Sequence, residues 1–268
     1  MDDERNKGSD IRMNITYSSI KSDYEIKCKF FSPKNRDIKN VIIGVHGFAG
    51  DKESSVLEQL AFACSENGTA LICFDFPAHG SSPVSEEMLT IENCKNDLYK
   101  VLEYVICKYP DANVSIFATS FGGYITLLCA DRLSDFRMVF RAPAVTMPKL
   151  LLENVLKIST EDFEKNGFVD CGFERPLRLP YSFYEDLIRQ EDVMKKEIKQ
   201  PNLILQGNCD DIVPLSDIIS FCKRQENTQL VIIDGAGHRF KNPGEIEKII
   251  CHTKNFLNMQ FQGGNHEI

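Results

Sequence analysis

The stretch N-V-S-I-F-A-T-S-F-G-G-Y-I-T-L-L-C-A-D-R-L (113–133) decides the fold of this chain. Residues 113–120 form a short apolar run, as expected for a strand buried on both faces of a parallel sheet. Residues 121–133 follow with a helical pattern and almost no intervening loop. A strand that passes directly into a helix is the repeating unit of α/β proteins. The stretch therefore predicts a parallel sheet covered by helices.

The same alternation of strands and helices recurs on both sides of this unit. The apolar runs predict further core strands at 40–47, 69–76, 137–145, 202–207 and 229–235. Amphipathic patterns predict further helices at 52–67, 91–109, 186–199, 215–224 and 243–257. Residues 14–32 alternate between apolar and polar side chains, which predicts an antiparallel hairpin. The expected fold class is α/β, with a doubly wound, mostly parallel sheet.

Residues 146–185 break this rhythm and are rich in aromatic side chains. We predict that they form a small inserted lid, and that residues 1–145 and 186–268 form the core. The aromatic residues either line a substrate pocket or pack against one another inside the lid. As candidates for the pocket we take Phe163, Phe168, Phe173, Tyr181, Phe183 and Tyr184.

The composition excludes several classes of function. The chain has 268 residues and a formal net charge of -8, which disfavours nucleic acid as a partner. No apolar stretch approaches the ~20 residues of a membrane span, and the N-terminus lacks the apolar region of a secretory signal. The ten cysteines form no CxxC pair, so we expect free thiols in the cytoplasm and no metal site or cofactor. A homodimer is one assembly that we consider.

Ser120 lies at the turn from strand to helix at the centre of the opening stretch. The small residues Ala118, Gly122 and Gly123 around it suit a sharp turn that exposes a nucleophilic Oγ. The usual pattern of such a turn is G-x-S-x-G, and this chain has A-T-S-F-G (118–122). Alanine is small enough to replace the first glycine. The alternative is that Ser120 only caps the helix, because serine is a favoured N-cap residue.

Two further strand ends carry an aspartate and a histidine. Asp210 follows the strand predicted at 202–207, and His238 follows the last strand within a glycine-rich turn. A histidine there can act as general base, and a carboxylate can hold its tautomer. Asp211 competes with Asp210, but the spacing G-x-x-D-x-x-V-P selects Asp210. Because ligands bind beyond the carboxyl ends of parallel strands, we expect Ser120, Asp210 and His238 to meet there.

The segment HGFAG (46–50) follows the first core strand. Its chain direction predicts that the backbone N–H groups of Phe48 and Phe121 form an oxyanion hole. We expect His46 to hold this loop by hydrogen bonds and His79 to have a structural role.

With these motifs the chain resembles the α/β-hydrolase superfamily. The resemblance runs from HGFAG (46–50) through FDFPAHGSS (74–82), ATSFGG (118–123) and GNCDDIVP (207–214) to GAGH (235–238). Within the superfamily, the first two segments look like the bacterial cinnamoyl (feruloyl) esterase branch and its lysophospholipase-like or peptidase-like relatives. The resemblance implies hydrolysis of a small carboxylic ester through an acyl-enzyme, and a lid after the strand that contains MVFRAPA (138–144).

Other activities remain open at this point. A thioesterase or an aminopeptidase-like amidase would use the same triad, and a haloperoxidase-like side reaction is compatible with it. A binding protein that has lost catalysis is the alternative from another class. The fold alone decides none of these.

Overall fold

The computed structural model describes residues 13–133, 135–171 and 176–262, with side chains up to Leu257. The strands are β1 (Met13–Lys21), β2 (Glu25–Pro33), β3 (Asn40–Val45), β4 (Thr69–Phe74), β5 (Asn113–Thr119), β6 (Arg137–Arg141), β7 (Phe168–Cys171), β8 (Leu177–Pro180), β9 (Asn202–Gly207) and β10 (Thr228–Ile233). The helices are α1 (Ser55–Cys64), α2 (Ile91–Lys108), α3 (Phe121–Leu128), α4 (Met147–Leu150), α5 (Thr160–Asn166), α6 (Tyr181–Ile188), α7 (Leu215–Cys222) and α8 (Glu245–Gln262).

Eight strands form one sheet in the order β1-β2-β4-β3-β5-β6-β9-β10. Strand β2 pairs antiparallel with both β1 and β4, and the other neighbours pair in parallel. The predicted fold class is therefore confirmed. In the register of β3 and β5, Val45 lies opposite Ala118. The loop after β3 and the turn at Ser120 consequently leave the sheet side by side.

Apolar layers cover both faces of the sheet. Along β3, Val41 and Ile43 belong to the layer shared with α2 and α3, whereas Ile42 belongs to the layer shared with α1 and α8. The central strands are buried on both faces, which explains why they are continuous apolar runs in the sequence. Among the helices that the structure describes, none combines the length and the apolar character required to cross a bilayer.

The residues of the predicted lid add no strand to the large sheet within their described part. They form α4, a π-helical turn over Leu151–Leu156, α5, the β7–β8 hairpin and most of α6. The Nδ2 atom of Asn154 donates a hydrogen bond to the backbone oxygen of Ile212 (2.8 Å), beyond the end of β9. The segment thus contacts the edge of the sheet where Asp210 lies. Its boundaries at 146 and 185 stay a prediction, and α6 crosses the second of them.

The prediction of a helix at 186–199 is wrong. Helix α6 ends at Ile188, and only a single 3-10 turn follows, at Val193–Lys195. The physical reason lies in Lys196, whose ammonium group is buried and donates a hydrogen bond to the backbone oxygen of Leu128 (2.9 Å). It also pairs with Asp131 and Glu191. These contacts hold the segment against the core in an irregular conformation.

Several predicted boundaries also shift, two of them for a visible reason. Strand β6 ends at Arg141 rather than at residue 145, because Ala142 has a left-handed backbone (φ 45°) that ends the extended conformation. Helix α1 begins at Ser55 rather than at residue 52. Residues 51 and 52 instead bend towards β4, where Lys52 pairs with a buried aspartate.

Candidate active site

Ser120 occupies a strained turn between β5 and α3. Its backbone angles are φ 49° and ψ −113°, a conformation that residues other than glycine rarely adopt. The residues that follow are closely packed: a Cβ atom at Gly122 would lie 2.4 Å from the backbone oxygen of His46, and one at Gly123 would lie 2.9 Å from Cβ of Pro143. Strained residues of this kind concentrate at functional sites. Ser120 makes no capping hydrogen bond through its side chain, which argues against a helix cap as its role.

Three side chains predicted to act together lie within hydrogen-bond distance. The Nε2 atom of His238 is 3.1 Å from Oγ of Ser120. The Nδ1 atom of His238 is 2.9 Å from Oδ2 of Asp210. A carboxylate beside Nδ1 keeps the proton on that nitrogen and leaves the lone pair of Nε2 directed at the serine hydroxyl. The arrangement can remove a proton from Ser120 Oγ.

Hydrogen bonds on every side orient the carboxylate of Asp210, whose side chain is fully buried. Its Oδ1 atom accepts from the backbone N–H groups of Ile212 (2.9 Å) and Val213 (2.8 Å). Its Oδ2 atom accepts from Nε2 of Gln206 (3.0 Å). Asp211, the competitor in the sequence, is exposed and its side chain makes no hydrogen bond to His238.

Two buried histidines hold the loop after β3. The Nε2 atom of His46 accepts from the backbone N–H of Phe76, and that of His79 accepts from the N–H of Ala49 (both 3.1 Å). In each ring Nδ1 faces a backbone carbonyl oxygen. Burial lowers the pKa of His46 to about 3 and also lowers the pKa of His79, so both rings are neutral at pH 7. They are suited to positioning the loop.

The loop carries Phe48 to a place beside Ser120 and Phe121. The rings of Phe48 and Phe121 lie 5.8 Å apart. A Cβ atom at Gly47 would lie 3.4 Å from Cβ of Ser120, so the loop passes close to the serine. Phe121 is the first residue of α3, and its N–H group therefore has no acceptor within the helix. The dipole of α3 also favours negative charge there.

A buried ion pair that sequence reasoning missed links this loop to the next one. The Nζ atom of Lys52 lies 2.7 Å from Oδ2 of Asp75, and the backbone N–H of Lys52 donates to Oδ1 (2.8 Å). Gly80 passes so close that a Cβ atom there would lie 2.4 Å from the carboxylate. Both loops are thereby held rigidly below the site. The segment DFPAHGSS (75–82) contains Asp75, but its pairing with Lys52 follows only from the fold.

Two pockets open on either side of Ser120 and His238, and both residues line both of them. The first, of about 540 Å³, is lined mainly by the turn after β10, by Asp211 and Ile212, and by Val155 of the predicted lid. The second, of about 510 Å³, is lined by residues 46–51 and 53–56, Thr119, Arg141 and Arg239. One substrate can therefore occupy both pockets with its reacting bond at the serine.

The aromatic residues predicted for the pocket require a correction. Five of them lie in the described part of the chain, and none of these five lines either pocket beside Ser120. They pack against one another or against the core instead, as the ring distances of Phe163 to Tyr181 (5.3 Å) and Tyr184 (6.3 Å) show. Phe168 is 40% exposed under the guanidinium of Arg178. Phe173 lies outside the described residues.

Phe183 contributes indirectly to the site. Its buried ring lies 6.1 Å from that of Phe48 and 6.0 Å from that of Phe121. It therefore supports both residues of the predicted oxyanion hole from the side of the predicted lid. No periodic pattern in the sequence distinguishes this role from ordinary packing.

The residues that line the pockets instead come from several loops. Of these, Arg141 lies within the core strand predicted at 137–145, but its place at the end of that strand follows only from the structure. Val155, Ile212 and Phe240 carry no comparable signal. Within the described ranges, no group of three or more His, Cys, Asp and Glu side chains is arranged to hold a metal ion.

Comparisons with known proteins find a similar family and similar folds. The family model described as "Serine aminopeptidase, S33" matches residues 36–166. The structure of Est1E from Butyrivibrio proteoclasticus with ferulic acid bound superposes with a TM-score of 0.79 at 24% identity over 92% of this chain and 99% of that one. The chain has the α/β-hydrolase fold and resembles proteins of that superfamily.

Two further solved structures are similar over comparable lengths. Alpha/beta hydrolase domain-containing protein 10 from mouse has a TM-score of 0.71 at 18% identity and covers 92% of this chain and 99% of its own. The esterase Pf2001 from Pyrococcus furiosus has a TM-score of 0.66 at 17% identity, over 92% and 93% of the two chains. No curated protein sequence matches this chain. Together the comparisons indicate a hydrolase that resembles the esterase branch.

Proposed function

We propose that this α/β-hydrolase is a serine hydrolase that cleaves carboxylic esters, including aryl esters of the cinnamoyl or feruloyl type, through an acyl-enzyme. The observation that carries the proposal is the chain of contacts from Ser120 through His238 to Asp210, at 3.1 and 2.9 Å. The strained backbone of Ser120 supports it, because a serine with only a structural role does not require such a conformation.

The reaction proceeds in two similar halves. His238 removes the hydroxyl proton of Ser120 while Oγ attacks the acyl carbonyl carbon, and the N–H groups of Phe48 and Phe121 bind the oxyanion. The C–O bond to the alcohol then breaks, and His238 gives its proton to the leaving oxygen. Water attacks the acyl-enzyme in the same way and releases the acid. Asp210 stabilises the imidazolium that forms in both halves.

An aminopeptidase-like amidase is the second candidate, because the matching family model describes serine aminopeptidases. A thioesterase would use the same groups. The structure of Est1E was solved with ferulic acid, which favours an ester with an aromatic acid. The aromatic side chains of Phe48 and Phe240 line the first pocket and are suited to such a ring.

Hydrolysis of p-nitrophenyl esters of increasing acyl length and of methyl ferulate tests the proposal. We expect turnover by the natural chain and loss of at least about a thousandfold in Ser120→Ala, because the nucleophile is removed. Ser220→Ala is the matched control, since Ser220 lies exposed on α7 and outside the residues that line both pockets. It should keep full activity.

A fluorophosphonate probe separates the alternatives. We expect it to label the natural chain and Ser220→Ala but not Ser120→Ala. Ester turnover within tenfold of the natural level in Ser120→Ala would refute the proposal. Labelling of Ser120 together with cleavage of aminoacyl anilides or thioesters alone would replace the esterase with the amidase or the thioesterase.

A further inference from the structure

We propose that the second pocket beside Ser120 binds a carboxylate group of the substrate. The inference rests on the proposed function and defines its substrate class: esters that carry a negative charge on one side of the reacting bond. The second pocket is the cavity lined by residues 46–51 and 53–56, Thr119, Ser120, Arg141, His238 and Arg239.

Arg141 supplies the positive charge. It ends β6 and lines the pocket together with Ser120. Its Nε atom is buried and donates no hydrogen bond to any described residue, and no carboxylate of the described chain lies within 4.0 Å of its guanidinium. Burial lowers the pKa of Arg141 to about 10, so the group is still charged at pH 7. A partly buried cation without an ion pair is costly, and an anionic ligand would offset that cost.

The carboxylate of Asp210 does not serve as the missing partner of Arg141. Its negative charge raises the pKa of Arg141, which places the two groups near each other. Both oxygens of Asp210 nevertheless already accept hydrogen bonds, from His238, Gln206 and two backbone N–H groups. The guanidinium therefore keeps donors for a ligand in the pocket.

The N-terminus of α1 forms another wall of the same pocket. Ser54, Ser55 and Val56 line it, and the side chain of Ser54 makes no capping hydrogen bond. The first N–H groups of a helix have no acceptor within the helix, and the helix dipole adds positive potential at this end. Arg141 and α1 thus favour an anion from two directions.

The pocket favours a carboxylate over a more highly charged group such as a phosphate. Asp51 and Glu53 also line it, and Glu53 is already paired with Lys29 (2.8 Å). These two acids would repel a dianion more strongly than a single negative charge. A planar carboxylate also matches the fork of a guanidinium group.

The charged group can belong to either half of the ester. It belongs to the acyl half in a hemiester of a dicarboxylic acid, and to the alcohol half in an ester of a hydroxy acid. Because Ser120 and His238 line both pockets, the other half of the substrate lies in the first pocket.

Two pairs of esters test the inference. The first pair is p-nitrophenyl hemiglutarate and its methyl ester, which differ by a negative charge in the acyl half. The second is 4-acetoxybenzoate and its methyl ester, which differ in the alcohol half. We would measure kcat/KM on both pairs for the natural chain, Arg141→Gln, Arg141→Lys and Arg224→Gln. Arg224→Gln is the matched control because Arg224 is an exposed arginine that lines neither pocket.

We expect Arg141→Gln to lower the ratio of charged to neutral ester by about thirtyfold or more in one pair, and Arg141→Lys to restore part of it. The pair that responds identifies the half that carries the carboxylate. Arg224→Gln should change the ratio by less than about threefold, because surface charges are screened by solvent. The melting temperature Tm of each variant would be measured alongside, to verify that the fold is kept.

Three results would overturn the inference. In the first, the ratio of charged to neutral ester is unchanged in Arg141→Gln. In the second, Arg141→Gln and the control Arg224→Gln lower the ratio equally, which indicates general attraction. In the third, Arg141→Gln slows all four esters equally, which indicates that Arg141 acts through Asp210. These results differ from failure of the proposed function, in which no ester is turned over or Ser120→Ala retains the activity.

Discussion

Exchange of Asp210 for asparagine probes the candidate site most directly. In the structure, Oδ1 of Asp210 accepts two backbone N–H groups, and Oδ2 accepts Nε2 of Gln206 and Nδ1 of His238. An amide has a donor in place of one of these acceptors. Placed at Oδ1, its NH2 group would face the two backbone donors. At the Oδ2 position it would face only one such donor, Nε2 of Gln206, so it is expected there, opposite His238.

The consequence for catalysis follows from the tautomer of His238. With an amide donor opposite it, Nδ1 must accept a hydrogen bond, and the ring proton moves to Nε2. The Nε2 atom then has no lone pair to receive the proton of Ser120. Where this exchange has been made in serine hydrolases, kcat falls about 10⁴-fold, equivalent to about 5.5 kcal/mol of activation free energy. We expect a loss of this size in Asp210→Asn.

Asp211→Asn provides the matched control, because it makes the same chemical change one residue later on an exposed side chain. We expect it to keep kcat within about threefold. The assay is hydrolysis of a p-nitrophenyl ester at saturating concentration, with Tm measured for both variants. An equal or larger loss in Asp211→Asn would refute the assignment of Asp210. Retention of more than a tenth of kcat in Asp210→Asn would do the same.

Two further exchanges test the packing around the site and the core. Gly122→Ala should lower both Tm and kcat, since the added Cβ would lie 2.4 Å from the backbone oxygen of His46. The comparison is Gly237→Ala, whose added Cβ has its nearest neighbour at 3.7 Å. Losses in Gly122→Ala no greater than those in Gly237→Ala would contradict this expectation. Burial raises the pKa of Asp97 from 3.8 to about 7, so between these values the folded chain binds a proton that the unfolded chain lacks. Its stability should therefore fall as pH rises from about 4 to about 7, and Asp97→Asn should remove that part of the decline. Melting curves across this pH range check it, and a constant difference in Tm between the two chains would speak against the raised pKa.

Much of the fold could be predicted because buried parallel strands are continuous apolar runs. All six predicted core strands occur, and β5 with α3 forms the strand–turn–helix unit expected around Ser120. The prediction failed at 186–199, where contacts of the buried Lys196 outweigh local helical preference. It also failed for the five described aromatic residues predicted to line the pocket, because periodicity does not distinguish a ring that lines a pocket from one that packs in a core.

The candidate site was accessible from the sequence for a related reason. Side chains at the carboxyl ends of parallel strands meet at one edge of the sheet, so Ser120, Asp210 and His238 could be grouped without coordinates. Their spacing even separated Asp210 from Asp211. The two loop histidines, His46 and His79, were likewise expected to be structural, and both are buried with their ring nitrogens hydrogen bonded.

The amino-acid sequence by itself thus determined the fold class, the strand ends and the identity of the three polar residues, since these depend on local periodicity and on small residues at turns. Only the tertiary structure decided which distant groups touch. Ser120 and His238 are 118 residues apart in the chain, yet their side chains lie 3.1 Å apart. Both pockets are likewise assembled from loops that meet only when the sheet forms, and the charge of Arg141 beside Ser120 becomes visible only there. Such contacts depend on packing between distant segments, which local sequence patterns do not encode.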